Sequence, residues 1–88
     1  MENQAVEQHA ADVVRRLADE VRAELARQRL SARALASKLG VSEHTAGRRL
    51  NGDTPFNTVE LMITSAFLGL SYTELMERAT REALAVAS

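Results

Sequence analysis

Apolar residues return at helical spacing along most of the chain. From about Ala10 to Gln28, Val13, Leu17, Val21 and Leu25 recur every four residues, with Val14 and Ala18 beside them, and neither glycine nor proline interrupts them. That spacing is one face of an amphipathic helix. Arg29-Leu30 follows. Ser31 is a good N-cap for a second helix with the apolar stripe Leu35, Ala36 and Leu39, which Gly40 stands in position to stop. Val41 reads as a buried linker residue, and Ser42 caps a third helix that runs to about Leu50. Asn51-Gly52-Asp53-Thr54-Pro55 is the strongest loop signal, since it joins an Asn-Gly pair to the only proline. Asn57 or Thr58 caps a fourth helix with Glu60 in its first turn, Leu61, Met62, Ala66 and Leu68 as its apolar set, and Gly69 at its end. Ser71 caps a fifth, with Glu74 three residues on in capping-box spacing and Leu75, Met76, Ala79, Ala83 and Leu84 inside. No alternation requires a strand, and no segment repeats. The expectation is an all-α fold of about five helices, with an N-terminal extension at 1–9 and one domain at 10–88.

Composition narrows the function more than the fold. Eighty-eight residues make one domain, which buries only about 60–65% of its unfolded surface. Without cysteine there are no disulfides and no zinc–thiolate sites, and an intracellular compartment is favoured. The start Met1-Glu2-Asn3-Gln4 lacks the basic and apolar regions of a secretory signal, and no apolar run nears the roughly 18 residues of a membrane span, so a cytoplasmic protein is expected. Phe56, Phe67 and Tyr72 are the only aromatics, too few for a platform that stacks single-stranded bases. His9 and His44 lie far apart without ligand spacing. No nucleophile–base pair, carboxylate dyad or phosphate loop can be named. The expectation is therefore no enzyme, no metal, no cofactor and no small-molecule ligand.

Charge changes the picture through its distribution. Residues 1–21 set two arginines against five acids, net −3, and residues 50–88 do the same. Residues 22–49 set Arg22, Arg27, Arg29, Arg33, Lys38, Arg48 and Arg49 against Glu24 and Glu43, net +5. A basic block between acidic flanks points to a polyanion partner or is a plain solvated face.

The informative stretch lies inside that block, Ser31 to Leu50, and reads as two short helices joined by a tight turn. Ala36 must be small where the second helix crosses it. Gly40 can take the left-handed conformation that reverses the chain within a few residues. Leu35, Leu39 and Val41 fill the wedge between the helices. Ser42 leaves the first turn of the next helix exposed, with Glu43, His44 and Arg48 on the side away from Ala46 and Leu50. Exposed polar groups there are what major-groove reading uses.

With "LASKLGVS" at 35–42, "NGDTPFNTVELM" at 51–62 and "AFLGLSYTEL" at 66–75, the chain resembles the helix-turn-helix domain of the phage repressor and Cro type, the family often called XRE. The resemblance runs from roughly Leu25 to Arg78. It implies a five-helix lambda-repressor-like domain, here with an extended first helix, whose partner is double-stranded DNA. Two positions depart from the family pattern: Ala46 stands where Val or Ile is usual, and Arg49 where an apolar residue is usual.

Arg48 is the first choice for base readout, since an arginine can bridge guanine O6 and N7; the alternative is a phosphate contact. Glu43 matches a position that often reads bases in the family, and it also suits a helix N-terminus electrostatically. His44 could bond a base or a phosphate, or stand idle. Thr45 could offer its methyl to thymine, bond a phosphate, or pack. The resemblance puts Asn51 on a phosphate, with Gly52 letting the backbone approach closely; the plain reading is a turn. Arg33 and Lys38 are phosphate candidates or solvated cations, and Arg49 either snorkels along its helix or faces a phosphate. His9 reads as exposed, Met62 and Met76 as core filler.

The functional expectation is a sequence-specific DNA-binding transcriptional regulator, a repressor or Cro-like protein. The alternative is a protein-interaction module, an antitoxin or adaptor that keeps the fold without strong DNA binding, for which the net charge of −1 speaks. Ala83, Leu84 and Val86 prolong the apolar trend, which suggests a homodimer through the first and fifth helices, or self-capping of the monomer.

Overall fold

A computed structural model describes the backbone of residues 2–87 and the side-chain environments of residues 4–81. Five helices follow one another: α1 (Glu2–Gln28), α2 (Ala32–Leu39), α3 (Glu43–Leu50), α4 (Thr58–Leu68) and α5 (Tyr72–Ala87), with no strand among the described residues. Leu17, Val21 and Leu25 of α1 meet Leu35, Leu50, Leu61, Leu68, Leu75 and Ala79 from the other four helices in one core, closed by Phe56 from the α3–α4 loop. The most extensive helix contact is α1 with α5. No helix of the described chain is long and apolar enough to cross a membrane.

No break falls at residue 10. Helix α1 starts at Glu2, so residues 2–9 continue the helix. Their alanine, glutamate and glutamine favour it, and the early acids suit its positive end. At 27 residues α1 is about 40 Å long, the full 40 Å extent of the molecule, and Gln4–Ala11 are exposed along it. Ala83, Leu84 and Val86 have side chains outside the described residues.

Three of the four connections use one device. Gln28-Arg29-Leu30-Ser31, Leu39-Gly40-Val41-Ser42 and Leu68-Gly69-Leu70-Ser71 each place a left-handed residue, then an apolar one, then a serine. In each, the apolar residue's N–H donates five residues back, to Leu25 O (2.8 Å), Ala36 O (3.1 Å) and Ser65 O (2.9 Å). That bond closes the preceding helix. The serine Oγ then accepts from the N–H three residues on, at Ala34, Thr45 and Glu74, each at 3.0 Å. So the turn chemistry repeats although the sequence around it does not.

Helix α4 sits rotated from expectation. Leu61 and Leu68 are buried, but Met62 is 57% exposed and Ala66 faces solvent, while Glu60, Thr64 and Ser65 turn inward. Met76 does pack against the core. Apolar residues surround α4 on every side, so periodicity could not fix its rotation; its polar anchors do. Asn57 Oδ1 accepts from Glu60 N–H (2.8 Å) and Glu60 Oε1 accepts from Asn57 N–H (2.9 Å), a complete capping box that makes Asn57 the N-cap. At α5 only half the box forms, because the Glu74 carboxylate goes to Arg78 (3.1 Å).

Candidate nucleic-acid interface

The α2–α3 unit is held from within. Leu35 and Ala46 have no exposed surface, and Ala36 and Leu50 are nearly as buried. The small Ala46 lets α3 lie close against its neighbours. Gly40 sits at φ 71° and ψ 30°, and a Cβ there would meet nothing within 4 Å, so glycine is needed for conformation and not for room. The Ser42 hydroxyl accepts from Thr45 N–H and donates to Thr45 Oγ1 (3.0 Å), which turns the Thr45 hydroxyl back on the cap.

The other face of α3 is open. Glu43, His44 and Arg48 are exposed, with His44 and Arg48 one helical turn apart on one stripe. Neither His44 nor Arg48 has a side-chain hydrogen bond or ion pair among the described residues. Glu43 does: its carboxylate lies 3.3 Å from the Arg33 guanidinium, joining the start of α3 to the start of α2. Both ends are largely in water, so the pair is worth about 1 kcal/mol or less and can open. Lys38 is exposed and unpaired among the described residues, as is Asn51, whose N–H donates to Gly47 O (2.9 Å) at the end of α3.

One expectation is corrected here. Arg49 turns inward onto Glu60, Nε to Oε1 at 2.9 Å, with side chains 18% and 10% exposed. A guanidinium committed to a buried carboxylate is not available to a phosphate, so Arg49 ties α3 to α4 and leaves the phosphate set. It turns inward by bringing its charge onto a counter-charge. Burial pushes the Glu60 carboxyl up, but Arg49 and the Asn57 N–H together outweigh it and hold the group below its ordinary value. Gly52 lies against α1, with a Cβ position 3.7 Å from Arg15 Cα.

The basic block is smaller in effect than in sum. Of its seven cations, Arg22 pairs with Asp19, Arg27 with Glu24 (3.0 Å), Arg33 with Glu43 and Arg49 with Glu60. Arg29, Lys38 and Arg48 remain unpaired among the described residues, and Arg33 is only loosely held.

A second charged cluster, unread in the sequence, closes the far side. Glu24 accepts from Gln28 (2.9 Å), Arg78 (3.0 Å) and Arg27 (3.0 Å), while Arg78 also reaches Glu74 and Gln28 also donates to Leu68 O (2.7 Å). The hydrogen bond from Gln28, then those from Arg78 and Arg27, lower the Glu24 carboxyl to about 2 against the opposing effect of burial. The α1 spacing Glu24-x-x-Arg27-Gln28 was visible; that α5 delivers Arg78 to it required the tertiary fold.

Comparison with protein-family models, with curated proteins and with solved structures found no match to this chain.

Proposed function

We propose that the chain is a sequence-specific double-stranded DNA-binding transcriptional regulator, a repressor of the phage or Cro type, that lays α3 in the major groove. The observation carrying this reading is the face of α3: an eight-residue helix, anchored by Ala46, Leu50 and the Arg49–Glu60 pair, presents unpaired His44 and Arg48 beside Glu43. Arg48 reads a guanine edge, and Glu43, His44 and Thr45 complete the base contacts. Arg33, released from Glu43, joins Lys38 and Asn51 on the phosphates.

With about two to four cations available, log K falls against log salt with a slope of roughly −2 to −4 per domain. Fluorescence anisotropy of labelled duplex across a salt series measures it. Arg48→Ala loses about 1–3 kcal/mol on the selected site and flattens preference at one base pair, while Arg33→Ala weakens selected and scrambled duplexes alike. Equal loss on both duplexes for Arg48→Ala would remove it from base readout.

The second reading, a protein-interaction module, rests on the pairing of four of the seven block cations with carboxylates. No binding to any duplex at low salt decides for it.

A further inference from the structure

We propose that the cavity between α1, the α3–α4 loop and α5 binds a small neutral aromatic molecule, about one six-membered ring in size. The cavity holds about 180 Å³ and is walled by Val13, Val14 and Leu17 of α1, Phe56 of the loop, Leu61 of α4 and Met76 of α5. Leu17, Phe56 and Leu61 are buried, whereas Val13, Val14 and Met76 are half-buried, so the floor is closed and the mouth reaches the surface. The proposal departs from the expectation of no small-molecule ligand. An apolar cavity assembled from several helices leaves no local pattern along the chain.

The chemistry of the ligand follows from the wall. Arg49 supplies the only polar side chain among the described lining residues. A water molecule needs two to four polar partners, so the cavity suits an apolar occupant, and an apolar space of roughly 150 Å³ takes up benzene. Three wall residues favour a ring over an alkyl chain. Phe56 offers an aromatic neighbour and Met76 a thioether. Arg49 adds a guanidinium whose bonds to Glu60, through Nε and Nη2, lie in its plane and leave its faces open for stacking.

The same ion pair decides the charge of the ligand. Glu60 already balances Arg49, so a carboxylate on the ring finds no spare cation and meets Glu60 instead. With about six heavy atoms in contact, the ring binds with a dissociation constant on the order of 10⁻⁴ to 10⁻³ M. Arg49 also ties α3 to α4, so the occupant bears on the seat of α3, but binding does not depend on the DNA reading.

Amide-resolved NMR of the full chain, titrated with benzene to about 10 mM without DNA, tests the site. Saturable shifts should gather at residues 13–17, 49, 55–61 and 76. At about ten times the dissociation constant the melting temperature should rise by about 5–10 °C. Benzoate should bind about tenfold more weakly, and cyclohexane at equal concentration should shift the same amides less. Val13→Phe and Val14→Phe, both at the half-buried mouth, should fill the space and abolish the shifts while keeping a folded spectrum. Scattered or unsaturable shifts in the wild type overturn the proposal, as does undiminished binding in both variants. Benzoate binding more tightly than benzene would make this an anion site, and equal shifts with cyclohexane would remove the aromatic preference; either overturns the assigned ligand class.

Discussion

Gly40-Val41-Ser42 and Gly69-Leu70-Ser71 turn the chain with the same left-handed residue, the same backward hydrogen bond and the same serine cap, yet the helices they launch are used differently. After the second turn, α5 buries Leu75 and Ala79 and sends its cation, Arg78, to Glu24 and Glu74. After the first, α3 buries Ala46 and Leu50 but leaves Arg48 in water. The turn sets direction and the exposure of the first helical turn. Whether the outer face is consumed by the protein or left for a partner depends on where a carboxylate waits. Glu24 waits for Arg78, and among the described residues none waits for Arg48.

The largest test of that contrast compares carboxylates. Glu24→Ala removes a buried carboxylate and leaves the mostly buried Arg78 with Glu74 alone, while the exposed Arg27 and Gln28 turn to water, and should cost about 2–3 kcal/mol in urea unfolding. Glu43→Ala removes an exposed pair and should stay within about 0.5 kcal/mol. Comparable losses would mean the two charged regions are not different in kind.

Acid should find the same seam. Glu24 is held at about 2 in the folded protein against an ordinary 4.5, so the unfolded chain takes up its proton first as pH falls. Its stabilisation is complete above about pH 4.5 and is lost as pH drops from there toward 2, and the lowered Glu60 acts in the same direction. Thermal melts of Glu24→Gln should show a flatter decline over that window. An unchanged decline would place the acid sensitivity elsewhere.

Gly40→Ala and Gly69→Ala then ask whether the two turns are equivalent. Neither site has an atom within 4 Å of a new Cβ, so the cost is left-handed strain alone, about 1–2 kcal/mol each. Losses that differ by more than about 1 kcal/mol would break the equivalence.

What could be read from the chain beforehand follows from range. The serine caps at 31, 42 and 71 and the glycine stops at 40 and 69 are decided within five or six residues, and they stand where local chemistry put them. The rotation of α4 was not legible, because Met62 and Ala66 satisfy an apolar pattern as well as Thr64 and Ser65 fail it. The Arg49–Glu60 bond, eleven residues apart, joins the Asn57–Glu60 box in turning Glu60 inward and so chooses between them. Arg49 looked like a spare cation for the same reason: its counter-charge lies across a loop. On α3, Glu43, His44 and Arg48 were legible as an outward face, but the Arg33–Glu43 pair, formed between two helices, was not.

The smallest effect concerns the third turn, where Arg29 takes the left-handed conformation at φ 57° without being glycine. Its N–H donates to Ala26 O (3.1 Å) and the following N–H to Leu25 O, as at the glycine turns. A side chain in that region costs roughly 1 kcal/mol. Glycine would remove this cost, offset by about 0.5 kcal/mol of extra freedom in the unfolded chain and a slight loss of charge at the end of α1. Arg29→Gly should therefore change unfolding free energy by about +0.5 kcal/mol or less. A loss of more than about 0.5 kcal/mol would show that the Arg29 side chain holds the α1–α2 corner together. The same variant has a second readout. Arg29 is one of three unpaired cations in the basic block, and if it touches a phosphate the salt slope of duplex binding shrinks by about 0.9. An unchanged slope with slightly raised stability would make Arg29 a turn residue only, and would leave Lys38, Arg48 and the released Arg33 as the cations on which the proposed DNA contact rests.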